Sequence, residues 1–331
     1  MPLITIQNVC KDFKVYKREK GIENNLRSLF VRKYEVKNAV KNISFNIEPG
    51  ELVGYIGSNG AGKSTTIKML SGILLPTSGD ITVNGIVPSR NRKLNAMNIG
   101  IVFGQRSQLN WDLPMEDAFE LYKRMYKIPD PVYRRNVDMF VELMEMQDFL
   151  RKPVRQLSLG QKMRAEISIA LLHDPAILYL DEPTIGLDVL VKDRIRDFIR
   201  QLNAEKKTTI ILTTHDMTDI DQIAQRIIMI DKGQLVSDTS LADFKAGNTE
   251  SYNVQVDFEH ALEGNKDPRV RMLKMLGEKR ALFSVDQNEM TVNEILEYFS
   301  KAYKITDINI KRPEIDEIVR NLYQKMNTRT E

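Results

Sequence analysis

Residues Gly57-Ser58-Asn59-Gly60-Ala61-Gly62-Lys63-Ser64-Thr65 fit the pattern GxxxxGK followed by Ser or Thr, between a predicted strand, Glu51 to Ile56, and a helical run, Ile67 to Leu70. That order of strand, glycine loop and helix is the context the pattern requires. Glycines at 57, 60 and 62 let the backbone curl so that successive N–H groups face one concavity, to which the helix beginning near Lys63 adds its positive dipole end. Lys63 would neutralise β and γ phosphate oxygens, and the Ser64 hydroxyl would coordinate Mg²⁺ alongside phosphate oxygens and water. A glycine-rich turn that happens to carry a lysine is the plain alternative, and it explains neither the strand before nor the helix after. The loop predicts a nucleoside triphosphate site without naming the nucleotide or its use.

The rest of the composition narrows the class. With 331 residues and about 150 per domain, roughly two domains are expected. Forty-eight Lys plus Arg against forty-five Asp plus Glu leave a net charge of +3, no global electrostatic reason to bind nucleic acid or a membrane. Cys10 is the one cysteine and cannot form an intramolecular disulfide, and with three histidines it cannot build a zinc cluster of the usual spacing. No apolar run approaches the eighteen or so residues of a membrane-spanning helix, and the start of the chain lacks a signal peptide's basic head and apolar body. A cytoplasmic protein is the expectation.

From Leu3 to about Ser237 the pattern alternates strand, glycine turn and helix, with strands at Ile177 to Leu180, Thr208 to Thr213 and Ile227 to Ile230, an α/β core. Inside it, at about 106–172, the reading turns helical. Phe119, Tyr122 and Met125 share one helical spacing, and Val137, Phe140, Val141 and Met144 another. A polar stretch ending in Gly247-Asn248 suggests a boundary, so residues 1–246 and 247–331 are read as two domains. The second opens with alternating Tyr252, Val254, Val256 and Phe258, then offers helices around Ile295 and Ile318 and a strand near Ile308. It is read as a small α/β unit, with a ferredoxin-like arrangement as one form.

Ile177-Leu178-Tyr179-Leu180-Asp181-Glu182 is an apolar strand ending in two carboxylates, where an open α/β sheet places its ligand crevice. Asp181 would complete the Mg²⁺ shell, and Glu182, pointing elsewhere, could polarise an attacking water. His215 follows the run Thr208 to Thr213 and would reach the γ-phosphate if that strand neighbours the one carrying Asp181. His173 and His260 have no such address and are read as structural.

The ordered set GSNGAGKST, Gln105 before RSQL, Leu157-Ser158-Leu159-Gly160-Gln161, ILYLDE, Gly186-Leu187-Asp188 and His215 resembles the ATP-binding cassette (ABC) ATPases of membrane transporters over about residues 1–240. The cassette with its appendage is most similar to the bacterial exporter branch. The resemblance implies a P-loop NTPase fold with an inserted helical subdomain, ATP and Mg²⁺ as cofactors, and Gln105 at the metal or its water. It implies that Ser158 and Gly160, with Gln161 and Asp188, serve the γ-phosphate of an ATP held by a second copy of the chain. A serine cap on the following helix is the structural alternative for Ser158, and Leu159 departs from the commonest LSGGQ pattern. Phe13 would stack on adenine, with Tyr16 and Tyr34 as rivals.

Further implied partners are separate integral-membrane permease subunits, which would hold the chain peripherally on the inner face of the cell membrane and use ATP-driven closure for export; no nucleic-acid partner is expected. A soluble, non-transport ABC ATPase in a nucleoprotein or regulatory complex is the alternative. A GTPase is not supported, because Asn265-Lys266-Asp267 lacks the spacer of a guanine-reading NKxD motif. Residues 17–38, with seven basic and three acidic residues and Ile22, Leu26, Leu29 and Phe30 at helical spacing, read either as a basic helix touching headgroups or the permease, or as a helix packed on the cassette. Trp111 is read equally as core or as permease-facing surface.

Overall fold

The computed structural model describes residues 1–16, 34–104, 107–248, 251–262 and 267–328. Ile22, Leu26, Leu29, Phe30, Gln105, Asn265 and Lys266 lie outside the described residues, as does the side chain of Tyr16. The chain divides into two units, Met1–Ser240 and Leu241–Glu331.

The first unit is built on two sheets. A three-stranded antiparallel sheet takes β1 (Ile4–Tyr16), β2 (Tyr34–Ile47) and β4 (Ser78–Val83) in the order β2-β1-β4. Residues 34–38 are therefore strand, not the tail of a helix. The larger sheet has the order β5-β6-β7-β3-β8-β9. Its strands are β3 (Leu52–Gly57), β5 (Ile99–Phe103), β6 (Ile177–Asp181), β7 (Thr209–Thr213), β8 (Arg226–Asp231) and β9 (Gln234–Ser240). All pair in parallel except β9 on β8. Leu52 to Ile56, Ile177 to Leu180 and Thr209 to Thr213 are buried at every residue, as strands covered on both faces must be. One apolar cluster joins the sheets, with Ile4, Ile6, Ile43 and Ile47 packed in the same core as Tyr55, Tyr179 and Ile228.

Helix α1 (Lys63–Leu70) follows β3, and α2 (Arg92–Asn98) precedes β5. Between β5 and β6 stand α3 (Met115–Tyr126), α4 (Asp130–Leu143) and α5 (Leu159–Leu171). The helical period holds, but the buried stripe of α3 runs through Met115, Ala118 and Phe119, leaving Met125 63% exposed. Helix α5 is buried continuously from Met163 to Leu171 and packs on β5. Helices α6 (Val189–Lys206) and α7 (Met217–Ile223) flank β7 in sequence. Among the described residues no helix is long and apolar enough to cross a membrane.

The second unit begins with α8 (Leu241–Asn248), so the division falls before this helix rather than at Gly247. An antiparallel sheet follows in the order β11-β12-β10-β13, from β10 (Ser251–Phe258), β11 (Val270–Gly277), β12 (Arg280–Asp286) and β13 (Ile305–Lys311). Helix α9 (Val292–Ala302) crosses from β12 to β13, and α10 (Ile315–Thr328) ends the unit. This is the strand order of a ferredoxin-like sheet, with no helix among the described residues between β10 and β11. Phe258, Phe283 and Phe299 meet in its core. Strand β11 was not legible beforehand because every residue after Val270 is exposed, which removes the alternation that marks a strand.

Candidate functional site

The sheet order brings the candidate residues together. Strand β7 lies between β3, which feeds the glycine loop, and β6, whose last residue Asp181 stands opposite Thr213. Three strand ends therefore open onto one crevice. Gly60 (φ +81°) and Gly62 (φ +109°) take the left-handed backbone that side chains resist. A Cβ at Gly57 would stand 2.4 Å from the Ile230 carbonyl oxygen, and one at Gly62 2.5 Å from that of Ala39. Ala61 is buried behind the loop, with its N–H donated to the Ser58 carbonyl.

Lys63 is 6% exposed, and its Nζ donates to the carbonyls of Gly57 (2.7 Å) and Ser58 (3.3 Å). Burial lowers its ammonium below the usual lysine range, with the nearby Glu182 and Asp181 carboxylates opposing that effect. Asp181 Oδ1 accepts from the hydroxyls of Ser64 (3.2 Å) and Thr213 (2.5 Å). Glu182 adopts φ +59°, a left-handed turn that a non-glycine residue holds only where its surroundings impose it. Its N–H donates to Thr213 O, and its Oε1 lies 3.2 Å from His215 Nδ1. Gly104, at the end of β5, donates to Asp181 O at 2.7 Å, and a Cβ there would meet Glu182 O at 2.3 Å.

Two cavities flank the loop. One of about 280 Å³ is lined by Ser64, Phe103, Gly104, Asp181 and Glu182. The other, of about 720 Å³, is lined by Phe13, Asn59, Gly60, Lys63, Ser64, Thr65 and Glu182. Of the aromatic candidates, Phe13 lines this cavity, with Lys11 Nζ 5.2 Å from its ring centre, whereas Tyr34 is exposed and outside it. Ser158, Gly160, Gln161 and Asp188 line neither cavity. Ser158 instead caps α5: its hydroxyl accepts from Gln161 N–H at 3.2 Å, and Gln161 Oε1 accepts from Ser158 N–H at 3.0 Å. Asp188 caps α6 by accepting from Val191 N–H at 2.9 Å.

Several contacts around these residues carry no signal in the sequence. Ser58 Oγ donates to Asp231 Oδ1 at 2.6 Å, tying the glycine loop to the end of β8. Asp219, fully buried, receives Thr184 Oγ1 (2.5 Å), Thr214 Oγ1 (2.9 Å) and both Nε and Nη2 of Arg196 (2.7 and 2.6 Å). This knot binds the turns after β6 and β7 to α6 and α7. Trp111 is 60% exposed with Lys162 Nζ 4.9 Å above its ring, so the core reading of this residue does not hold. His173 is structural, stacked on Tyr126 at 4.0 Å.

Comparison with known proteins bears on the same region. The family model described as ABC transporter matches residues 40–185. The ABC transporter ATP-binding protein NatA of Bacillus subtilis strain 168 is 33% identical over 207 residues, 62% of this chain and 84% of the relative. The chain belongs to the ABC transporter ATP-binding family. The daunorubicin resistance ATP-binding protein DrrA3 of Streptomyces coeruleorubidus is 29% identical over 88% of this chain and 93% of its own length. Among solved structures, the dimeric post-hydrolysis state of the ATP-binding cassette MJ0796 bound to ADP and Pi superposes with a TM-score of 0.60. It is 27% identical and covers 72% of this chain and 98% of that one. This ABC ATPase binds and hydrolyses ATP as a transporter subunit, and its fold is the P-loop cassette with a helical insertion.

Proposed function

We propose that this ABC ATPase powers export through a separate membrane permease, and that two copies close head to tail around two ATP molecules. The observation that carries the two-chain reading is that Ser158 and Gly160, at the N-terminus of α5, line neither cavity beside their own chain's loop. A helix N-terminus is an anion site, and here it serves the ATP held by the other copy. The relative named for daunorubicin resistance supports export. The exposed Trp111, beside Lys162 of α5, supports a reading in which this surface meets the permease at the inner face of the membrane.

Within each site, the loop amides and Lys63 hold the phosphates, and Phe13 packs against the base. The protein offers two oxygen groups side by side, the Ser64 hydroxyl and the Asp181 carboxylate. That small oxygen set fits Mg²⁺, which these two residues would hold and which would neutralise charge on the transferred phosphoryl group. Glu182 accepts a proton from the attacking water, and His215 orients the carboxylate from its far side. Loss of the γ-phosphate removes the group bridging the copies, and the pair opens.

The test is mass against nucleotide. Glu182→Gln should be monomeric alone and dimeric with ATP and Mg²⁺ by light scattering, and Ser158→Asp added to it should restore the monomer. A Glu182→Gln protein whose mass ignores ATP at every concentration up to tens of micromolar overturns the two-chain site. Wild-type ATPase unaffected by a co-purified permease would favour the soluble alternative.

A further inference from the structure

Helix α5 carries Ser158, Lys162 and Glu166 at four-residue spacing, one stripe along a helix. The first faces the second ATP in the reading above, and the other two hold the loop that follows β5. Glu166 is 5% exposed, and its Oε1 accepts from Ser107 Oγ (2.5 Å), Gln108 N–H (2.9 Å) and, more loosely, Leu109 N–H (3.4 Å). One helical turn earlier, Lys162 Nζ lies 4.9 Å above the Trp111 ring. The same loop is fastened to the sheet by Gln108 Nε2 on Ile101 O (2.5 Å) and to α3 by Tyr122 Oη on Gln108 O (3.1 Å). In sequence it starts two residues after Gln105.

We infer that Glu166 is a positioning residue that locks the loop 107–111 to the helix headed by Ser158, so that occupancy of a chain's own nucleotide site is transmitted to the site it completes on its partner. A buried carboxyl on a core helix is costly unless partnered; here three donors from one loop converge on Oε1, while Oε2 is buried without a hydrogen-bond partner, so the loop supplies all the compensation this side chain has. With the loop held at both Glu166 and Lys162, a shift at β5's end carries α5 with it rather than bending the connection between them. Burial also raises the Glu166 carboxyl above its usual range, so a neutral acceptor of the same shape is a fair substitute.

The inference rests on the two-chain reading, and the experiment separates the two. ATP dependence of hydrolysis is measured for the wild type, Glu166→Gln, Glu166→Ala and Ser107→Ala, with binding of a fluorescent ATP analogue to dilute protein alongside. The wild type should be sigmoidal, with a Hill coefficient above 1 and about 2 as the ceiling for two coupled sites. Glu166→Ala should fall to about 1 with analogue affinity unchanged, Ser107→Ala should fall part of the way, and Glu166→Gln should retain the wild-type curve. A folded Glu166→Ala as cooperative as the wild type overturns the lock, as does Glu166→Gln behaving like Ala. Should Glu166→Ala fail to fold, the exposed Ser107→Ala decides, and unchanged cooperativity there also overturns it. A wild type with no cooperativity also overturns the coupling, whereas the two-chain reading itself stands or falls on the ATP-dependent dimer mass of Glu182→Gln.

Discussion

His215 Nδ1 lies 3.2 Å from Glu182 Oε1, although the two follow different strands and stand thirty-three positions apart. The ladder that sets Asp181 opposite Thr213 makes the meeting unavoidable, since each residue is the first or second beyond its strand. Glu182→Gln should bind ATP normally and lose about 10² to 10⁴ in turnover, the usual contribution of a general base. His215→Ala should lose less, because the carboxylate remains and only its orientation is released. Steady-state ATPase with parallel nucleotide binding checks both, and a His215→Ala deficit larger than that of Glu182→Gln contradicts the division of roles.

Ser158 has a structural duty and a proposed chemical one, and two variants separate them. Ser158→Ala removes the cap and should cost about 1 kcal/mol of stability. Ser158→Asp keeps an oxygen for Gln161 N–H, so the urea midpoint should stay near that of the wild type while ATPase collapses under charge repulsion with phosphate. Retained activity in Ser158→Asp would leave the cap as its whole role.

Asp219 and Arg196 form a fully desolvated pair, 0% and 5% exposed. Asp219→Ala takes from the Arg196 guanidinium its one fully buried carboxylate, leaving it Asp193 (2.9 Å) and Asp216 (3.7 Å), and takes from the Thr184 and Thr214 hydroxyls their acceptor, and should cost about 3 kcal/mol. The double variant Arg196→Met with Asp219→Leu should recover most of that loss, because neither charge is then left without its partner. Denaturant midpoints of the single and double variants decide this, and equal losses would refute it.

His173 is half-buried against Tyr126, with Nε2 3.2 Å from Ile99 O, and desolvation pulls its ring down from 6.5 to about 4. The folded state thus prefers the neutral ring. The stability this contributes is present above pH 6.5 and is lost as pH falls through that window towards 4, in all about 3 kcal/mol. His173→Phe keeps the stack and removes this part of the acid loss. As pH falls from 7.5 to 4 the thermal midpoint of the wild type should drop by more than that of His173→Phe, and parallel curves would contradict the assignment.

The local chemistry of this protein is written in short runs. A loop that must turn its amides inward and carry a lysine at its end leaves few spellings, and a strand that delivers two carboxylates to a crevice is hardly less restricted; in the fold Ser64, Asp181 and Glu182 line one cavity and the Ser64 hydroxyl meets Asp181. Uninterrupted burial, likewise, marks β3, β6 and β7 in the chain itself. What no run of residues announces is contact between elements far apart in the chain. Asp219 meets Thr184 and Arg196, Ser58 meets Asp231, and Glu166 meets Ser107 only because parallel strands are ordered β5-β6-β7-β3-β8 and their following turns crowd one edge. Spacing along a chain reports on one helix or strand at a time, whereas those polar partners are chosen by packing, where a buried charge or hydroxyl is tolerated only beside whichever group the fold brings to it.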